Sequence, residues 1–553
     1  MMRVFGLQVG MRLMQASSRA TFLRLRKFFV GGLLGGVLAT IILFVGTEFL
    51  SFPFPPLAIF QLLIAPVPGS IQSVMVETFR EYAKYSAFVF SSVSYVVLYG
   101  VIAVFLGLLF KGEIEGKANR ATLVATLIPT AIGLGLQLQL ASGFSAISSV
   151  YGWVLACLLA LIVNLVYARV LIQYTVTVPI GATRTMSQQR TSSRRGFLKK
   201  LVIAAALLAG VGVAFRVVLP LLRHQPVVTS GTSIPANPQP VSVGGDVSAI
   251  FRDQRLSDLV GSEVTDNRVF YRVDINPIPP RLDLDTWTLK IHGKVNNPLT
   301  LDKDSLSKLS TIDVNEYATL ECVSNTINPP GALISNGKWT GVPLATLLNQ
   351  AGVQPTAKYV VFRCGDGYTV GIPLERALLP GTVLAYKMND ATLPDEHGFP
   401  LRAIVPGIYG MMNAKWITEI EVTDQVYLGY WQERGWSNDA EIKTTSIIYY
   451  PAPNARVNGA TPIAGVAFAG DREISKVEVS VDGGNTWDEA ALKSPHSRYS
   501  WVLWAYEWIP KTTGTANLVV RAYDGKGQIQ DPTVIQPFPD GASGYQSIQV
   551  TVA

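Results

Sequence analysis

The sequence predicts three parts in series: an α-helical membrane bundle of five spans within residues 1–224, an α+β domain over 263–439, and an all-β immunoglobulin-like sandwich over 440–553. Three observations predict it. Nearly all the long apolar runs fall before about Leu222, whereas the remainder has the charge, Trp, Pro and Gly content of an ordinary soluble protein. From Val264 to about Tyr430, short β runs alternate with short helical signals. From Ser446 onward, spaced strands and turns recur with almost no helical periodicity. A chain of 553 residues is in any case too long for one core.

Five runs are long enough to cross a hydrocarbon layer of roughly 30 Å: Phe28 to Leu50, Tyr85 to Phe110, Ala121 to Leu140, Ile147 to Ala168, and Phe197 to Phe215. A sixth apolar piece, Pro53 to Pro68, is short and bracketed by prolines, so it is expected at the interface or against the bundle. Positive loops stay cytoplasmic. Arg3, Arg12, Arg19, Arg24, Arg26 and Lys27 lie before the first run, Lys111, Lys117 and Arg120 between the second and third, and Arg184 to Lys200 before the fifth. Together they place the N-terminus inside and everything after about Leu219 outside, in a multi-pass protein of the cell membrane. The net charge of +7 then reports topology and requires no nucleic-acid partner. Ser193-Arg194-Arg195-Gly196-Phe197-Leu198-Lys199, ahead of an apolar run, resembles a twin-arginine export signal, which carries domains folded before export. Its internal position favours retention as an anchor.

All four histidines, His224, His292, His397 and His496, follow the bundle's first four runs and fall outside its spans. A bis-histidine haem bundle is therefore excluded, and no haem is expected. Intramembrane charge is sparse, which gives little support to an ion pathway. Residues 225–262 read as a linker, with Gln225 to Asp246 rich in Pro, Ser, Gly and Val.

In the α+β part, strands are expected at Val269–Val273, Trp287–Val295, Tyr359–Arg363, Leu401–Val405 and Ile417–Val422, with short helices at Asp304–Lys308, Pro343–Gln350 and Leu374–Leu378. In the tail, strands are expected at Lys476–Val481, Ser500–Trp504 and Ala516–Asp524. Glu316 to Asn325 reads as a buried strand running into a loop at Cys322. A lone thiol there is ordinarily a small buried hydrophobe. Cys157 falls in the fourth apolar run, and Cys322 and Cys364 either pair once or one of them is a ligand.

The pieces Phe270-Tyr271-Arg272, Leu320 to Asn325, Asp366 to Pro373, His397 to Arg402, Val405 to Gly410 and Asn413-Ala414-Lys415-Trp416 together resemble the sulfite oxidase family of molybdenum-cofactor oxidoreductases. That family includes assimilatory nitrate reductase and the bacterial periplasmic methionine-sulfoxide reductase. Val477 to Trp487 is similar to the family's C-terminal domain, often used for dimerisation. The resemblance implies that the Cys322 thiolate binds molybdenum in a pterin dithiolene centre, a soft ligand suited to that metal. Phe270, Tyr271, Arg272, Asp366, His397, Arg402, Asn413, Ala414 and Lys415 would surround the pterin. Of these, His397 and Arg402 would present a neutral donor and a fixed cation to its phosphate. Asp366 would accept from the amino-pyrimidine end, and Gly407 and Gly410 would allow close backbone approach. Tyr368 and Trp339 would line the substrate side, with Tyr368 donating to an oxygen. Cys364 matches no ligand position and reads as structural.

Sulfite oxidases carry arginines just after the cysteine motif, where this chain has Thr326 and Ile327. With no fused cytochrome domain, electrons would pass through a separate partner. The resemblance implies a molybdopterin enzyme acting on a small substrate, with a homodimer through the C-terminal domain. Alternatives are a sulfoxide reductase of the same fold and a binding or scaffold module that has lost its chemistry.

Overall fold

The computed structural model describes residues 2–50, 82–109, 118–140, 150–177, 249–276, 279–308, 314–328 and 330–553, with a few isolated positions between 55 and 71. The expected fifth span, the twin-arginine-like motif and the linker up to residue 248 lie outside the described residues. The chain divides into two compact units, Met1–Pro66 with Lys84–Ser233, and Val67–Ala83 with Ile234–Ala553.

The first unit holds α1 (Met2–Leu50), α2 (Tyr82–Leu109), α3 (Ala118–Leu140) and α4 (Val150–Thr177). Among the described residues three stretches are long and apolar enough to cross a membrane: Thr21–Gly46, Val89–Leu109 and Cys157–Thr175, with mean hydropathies of 2.5, 2.2 and 1.8. The expected third span is a helix whose apolar part, Arg120–Leu136, is shorter. Two glycine pairs on α1 let its neighbours approach. A Cβ at Gly32 would lie 2.7 Å from the Tyr99 carbonyl, and one at Gly35 would lie 2.7 Å from the Tyr167 ring. Tyr99 donates to Asn164 at 2.7 Å, so these two buried polar side chains are matched inside the apolar packing.

In the second unit a short helix, α5 (Ser257–Gly261), precedes β1 (Leu289–Gly293), β2 (Leu299–Leu301), α6 (Lys303–Lys308), β3 (Val314–Glu321) and β4 (Ile334–Pro343). Then follow α7 (Leu344–Ala351), β5 (Tyr359–Cys364), β6 (Thr369–Pro373), α8 (Leu374–Ala377), β7 (Val383–Met388), β8 (Ala391–Thr392), β9 (Arg402–Ile404) and β10 (Ile417–Thr423). α7 buries Leu344, Leu347, Leu348 and Ala351, a single helical face, and stops at Gly352, whose φ of 68° suits a residue without a Cβ. Two sheets result. One is ordered β2-β1-β10-β5-β6; the other is β3-β4-β7-β8, with β9 paired to β7.

The segment expected to be a strand at Val269–Val273 is not one. The Asp266 carbonyl accepts from the Phe270 amide at 2.9 Å and its carboxylate accepts from the Arg268 amide at 2.8 Å. This Asx-type turn takes the backbone groups a strand would need.

The C-terminal part contributes β11 (Thr445–Tyr450), β12 (Arg456–Val457), β13 (Thr461–Phe468), β14 (Ile474–Ser480), β15 (Asp488–Glu489), β16 (Ala491–Leu492), β17 (Val502–Trp508), β18 (Gly514–Asp524) and β19 (Gln546–Val552). They form sheets β11-β13-β17-β16 and β12-β19-β18-β14-β15. One core joins the sheets, with Ile463 and Trp504 from the first against Val477, Leu518 and Val520 from the second. β19 shows the cause plainly, since its buried and exposed residues alternate along the strand.

Candidate active site

β3 delivers Cys322 to the wall of a cavity that opens to solvent. Pairing with β4 runs to Glu321 opposite Ile334; the Cys322 amide then donates to the Leu333 carbonyl at 2.9 Å, and the Asn325 amide donates to the Cys322 carbonyl. Asn325 fixes this loop, because its side-chain amide donates to Glu321 at 2.9 Å and its oxygen accepts from the Leu333 amide at 3.2 Å. The Cys322 sulfur is buried, 3.1 Å from the Ser324 hydroxyl. Burial pushes its thiol up, and a nearby cation would reverse that by favouring the thiolate. Cys322 and Cys364 are both free; Cys364 points into the core beneath β5, so the pairing option falls and its structural reading fits.

Three cations line the same cavity. Arg272 meets Asp274 at 3.2 Å, and Lys415 pairs with the same carboxylate. Arg402, 4% exposed, is different. Its Nη1 donates to the His397 carbonyl at 3.0 Å and its guanidinium lies 4.7 Å from the Trp339 ring centre. Among the described residues it has no carboxylate within 4 Å, and its Nε has no hydrogen-bond partner. Burial lowers its pKa to about 10, and Tyr271 and Asp274 oppose that shift only in part.

His397 sits at the end of a 3-10 turn closed by Gly398, whose φ is 113°. Its Nε2 lies 2.8 Å from the Asn267 carbonyl. A carbonyl can only accept, so Nε2 carries the proton. Burial, and then Arg402, lower its pKa to about 4, which keeps the ring neutral and leaves Nδ1 with a lone pair. The expected donor is thus spent on the main chain, and what His397 retains is an acceptor.

The remaining expected residues divide by position. Phe270, Tyr271, Asp366, Tyr368 and Asn413 line the cavity; Trp339 and Ala414 do not. Trp339, fully buried, backs Arg402 and meets Phe270 edge-on, with its indole N–H donating to the Ala318 carbonyl. Ala414 lends its carbonyl to the Ala403 amide. The Asn413 side chain is engaged by the Val405 amide and the Tyr409 carbonyl, so it shapes the loop. Tyr368 follows the Gly367 turn, where φ is 86°, and its hydroxyl donates to the Met411 carbonyl at 2.6 Å. Asp366 accepts from the Tyr368 amide, and burial holds its carboxyl well above the usual range. The space a Cβ at Gly410 would need is filled by the Tyr271 hydroxyl at 2.2 Å, so this glycine makes room for a side chain of the cavity wall. Gly407 faces Arg376 and Asp471 instead.

Sequence reasoning missed Asp274, Met411, Trp431 and Trp436, all of which line the cavity. The available signal was the aromatic run Tyr430-Trp431 followed by Trp436, in a stretch read as the end of a domain.

A molybdopterin fits this donor set: a soft buried sulfur and a buried guanidinium in need of an anion, lining one cavity. Residues 275–431 match the model of the oxidoreductase molybdopterin binding domain, and residues 437–537 match the Mo-co oxidoreductase dimerisation domain. The chain is 30% identical over 323 residues to mitochondrial sulfite oxidase of Rattus norvegicus, covering 50% of this chain and 59% of that protein. It is 28% identical over 337 residues to sulfite oxidase of Arabidopsis thaliana, covering 50% of this chain and 85% of that one. The match thus spans less than two thirds of the length of the rat protein. The crystal structure of the sulfane dehydrogenase SoxCD from Paracoccus pantotrophus aligns with a TM-score of 0.45 at 22% identity, over 58% of this chain and 97% of that one. Residues 275–537 therefore belong to the molybdopterin oxidoreductases, as a molybdopterin-binding domain followed by a Mo-co dimerisation domain, the pair through which the chain is similar to sulfite oxidases.

Proposed function

We propose that the chain is a membrane-anchored molybdenum-cofactor oxidoreductase, sulfite oxidase-like, that transfers an oxygen atom to or from a small extracytoplasmic substrate. The observation that carries this reading is the buried, only partly compensated Arg402 in one cavity with Cys322, inside the segment that matches the molybdopterin-binding family. Cys322 would hold molybdenum through its thiolate. Arg402, with Arg272 and Lys415 sharing Asp274 beside it, would take the phosphate, and His397 Nδ1 would accept from an N–H or O–H of the cofactor. Phe270, Tyr271 and Asp366 would line its body. When bound, the centre supplies two-electron oxygen-atom transfer.

The protein's own part is to exclude water and present neutral donors. Burial holds the Tyr271 and Tyr368 phenols well above their ordinary range, so both keep their protons. Tyr368 would orient an oxygen by exchanging its bond to Met411 for one to the substrate. The three apolar helices support a membrane anchor. We place five spans, a cytoplasmic N-terminus and retained twin-arginine signal in residues 1–224, and extracytoplasmic domains at 263–439 and 440–553, the last of immunoglobulin type. The linker expected at 225–262 is shortened to 225–248, because residues 249–261 are helical turns that bury Phe251, Leu256 and Leu259 in a core. The dimerisation domain supports a homodimer, and electrons would pass through a separate partner.

Elemental analysis of the full chain from a host that makes the cofactor tests this reading. Molybdenum near one per chain is expected; a metal-free and pterin-free preparation contradicts it.

A further inference from the structure

The segment ahead of the matched molybdopterin-binding domain ties the C-terminal part to the cavity. Residues 249–261 turn against the C-terminal part, where Phe251, Leu256 and Leu259 share one core with Ala464, Val466 and Trp501. The same segment then reaches the cavity, which Phe270, Tyr271, Arg272, Val273, Asp274 and Ile275 line without a break. Between these ends it is held by hydrogen bonds. The Thr265 amide donates to the Asn336 carbonyl at 2.8 Å, and the Asn336 amide returns a bond to the Thr265 hydroxyl at 3.2 Å. Two residues of the cavity wall hang on the segment. The Asn267 carbonyl accepts from His397 Nε2 at 2.8 Å, and the Tyr271 amide donates to the Ser335 hydroxyl at 3.1 Å.

The upstream end of this strap is pinned at Glu263, which is buried. Its carboxylate accepts from Lys493 Nζ at 2.5 Å, and His496 Nε2 lies 3.5 Å from the same oxygen. Both partners belong to the stretch after β16, in the C-terminal part. Burial pushes the Glu263 carboxyl up, and the hydrogen bonds from His496 and Lys493 more than offset this, so the group keeps its charge. The main chain is held as well: the Glu263 carbonyl accepts from Asn336 Nδ2 at 2.8 Å and from Trp501 Nε1 at 3.0 Å. Thr319 of β3 closes the ring, donating to Asn336 Oδ1 at 3.0 Å and accepting from the Trp501 amide at 2.8 Å. All four residues are buried, so each polar group depends on the others.

We propose that Glu263 is a positioning residue of the cofactor site: clasped by Lys493 and His496 of the C-terminal part, it fixes the strap Glu263–Asp274 that sets His397 and Tyr271 against the cofactor. The proposal rests on the reading of the cavity as the molybdopterin site, and it gives the C-terminal part a role in the site of its own chain, apart from dimerisation. The clasp acts on one wall. Cys322 is fixed through Asn325, Glu321 and the Leu333 main chain, bonds that do not involve the strap. A loosened clasp therefore frees the pterin-facing wall and leaves the metal ligand in place. A buried carboxylate that loses one partner keeps the other, so the result is more frequent local opening of the strap with the domain still folded.

The test is hydrogen exchange read by mass spectrometry on the full chain in lipid nanodiscs, loaded and cofactor-free, for wild type, Lys493→Met, Lys493→Arg and Glu263→Gln. The hydrogen-bonded amides of Thr265, Phe270 and Tyr271 report the strap, and those of Cys322 and Asn325 report the metal loop. Lys493→Met should speed strap exchange about tenfold and leave the metal loop within about twofold of wild type. Lys493→Arg should restore most of the protection. Glu263→Gln, which keeps the side-chain shape and removes the charge, should behave as Lys493→Met does and carries the test if that variant fails to fold. Release of pterin from the loaded protein, followed by the fluorescence of its oxidised form, should quicken in step with strap exchange. Unchanged strap exchange overturns the proposal, as does an equal rise in strap and metal loop, failure of arginine to restore protection, or pterin release that does not follow the strap. A wild-type preparation without pterin instead overturns the underlying reading of the site.

Discussion

At Arg402 a single side chain separates the needs of the empty fold from those of the loaded one. Its guanidinium is buried, pairs directly with no carboxylate among the described residues and leaves Nε without a partner, an arrangement that costs the protein stability unless an anion is bound. Arg402→Met should therefore leave the thermal stability of the cofactor-free chain unchanged or raise it by about 1 kcal/mol, while cofactor content in the purified protein falls at least about tenfold. Calorimetry and elemental analysis on the same samples check both halves. His397 has the opposite signature. Its folded pKa of about 4 lies below the ordinary value of 6.5, so its contribution is complete above pH 6.5 and is lost as pH falls through 4. At 5% exposure the loss amounts to about 3 kcal/mol. Asp366, raised by burial, acts with reverse sign: its contribution is present below the ordinary carboxylate pKa and fades as pH rises through its own. In cofactor-free protein, His397→Gln should therefore flatten the acid limb of stability between pH 6.5 and 4, as read by thermal melts across pH; an unchanged limb would show that the ring is not the group that titrates. Residue identities in the site were legible because Cys322, Arg402 and Lys415 stand in motif order. Their partners were not, since Asp274 and Met411 are ordinary residues until the fold brings them to the cavity.

Elements were legible where periodicity and burial agree. The short helix at Leu344–Ala351 and the strands at Tyr359–Cys364 and Ile417–Thr423 stand close to where apolar spacing put them. The strand expected at Val269–Val273 failed because Asp266 caps a turn ahead of it, a local side-chain effect that an alternating pattern does not reveal. The element that matters most for the site is the β4–β7–β9 ladder. Its register shifts between Thr340 and Gly341, and Ala385 on β7 then pairs with Arg402 on β9. A Cβ at Gly341 would stand 2.0 Å from the Leu384 carbonyl and 2.6 Å from the Cα of Ala385, both main-chain atoms that cannot yield cheaply. Gly341→Ala should cost about 2–4 kcal/mol and lower cofactor content by moving Arg402. Gly261→Ala, with nothing within 4 Å, should stay within about 0.5 kcal/mol and serves as the control in the same melting series.

At the scale of the molecule, the concentration of long apolar helices before the two matched domains could be read from composition, because apolar runs of that length differ so much from the residues of an ordinary soluble domain. Among the described residues three helices meet the length and hydropathy a crossing needs, and the apolar part of Ala118–Leu140 is shorter and interrupted by Pro129. The contribution of the C-terminal part to the cavity was also hidden, since Phe538 and Trp436 are 102 positions apart and meet only through folding. What unites the scales is the claim that Cys322 holds the metal of a molybdopterin centre in the second unit. X-ray absorption at the molybdenum edge, on the full chain and on Cys322→Ser, tests that claim most directly. The account predicts molybdenum in both proteins, with one sulfur neighbour fewer in the variant. An equal sulfur count in the two, or no molybdenum edge in the wild type, would contradict it.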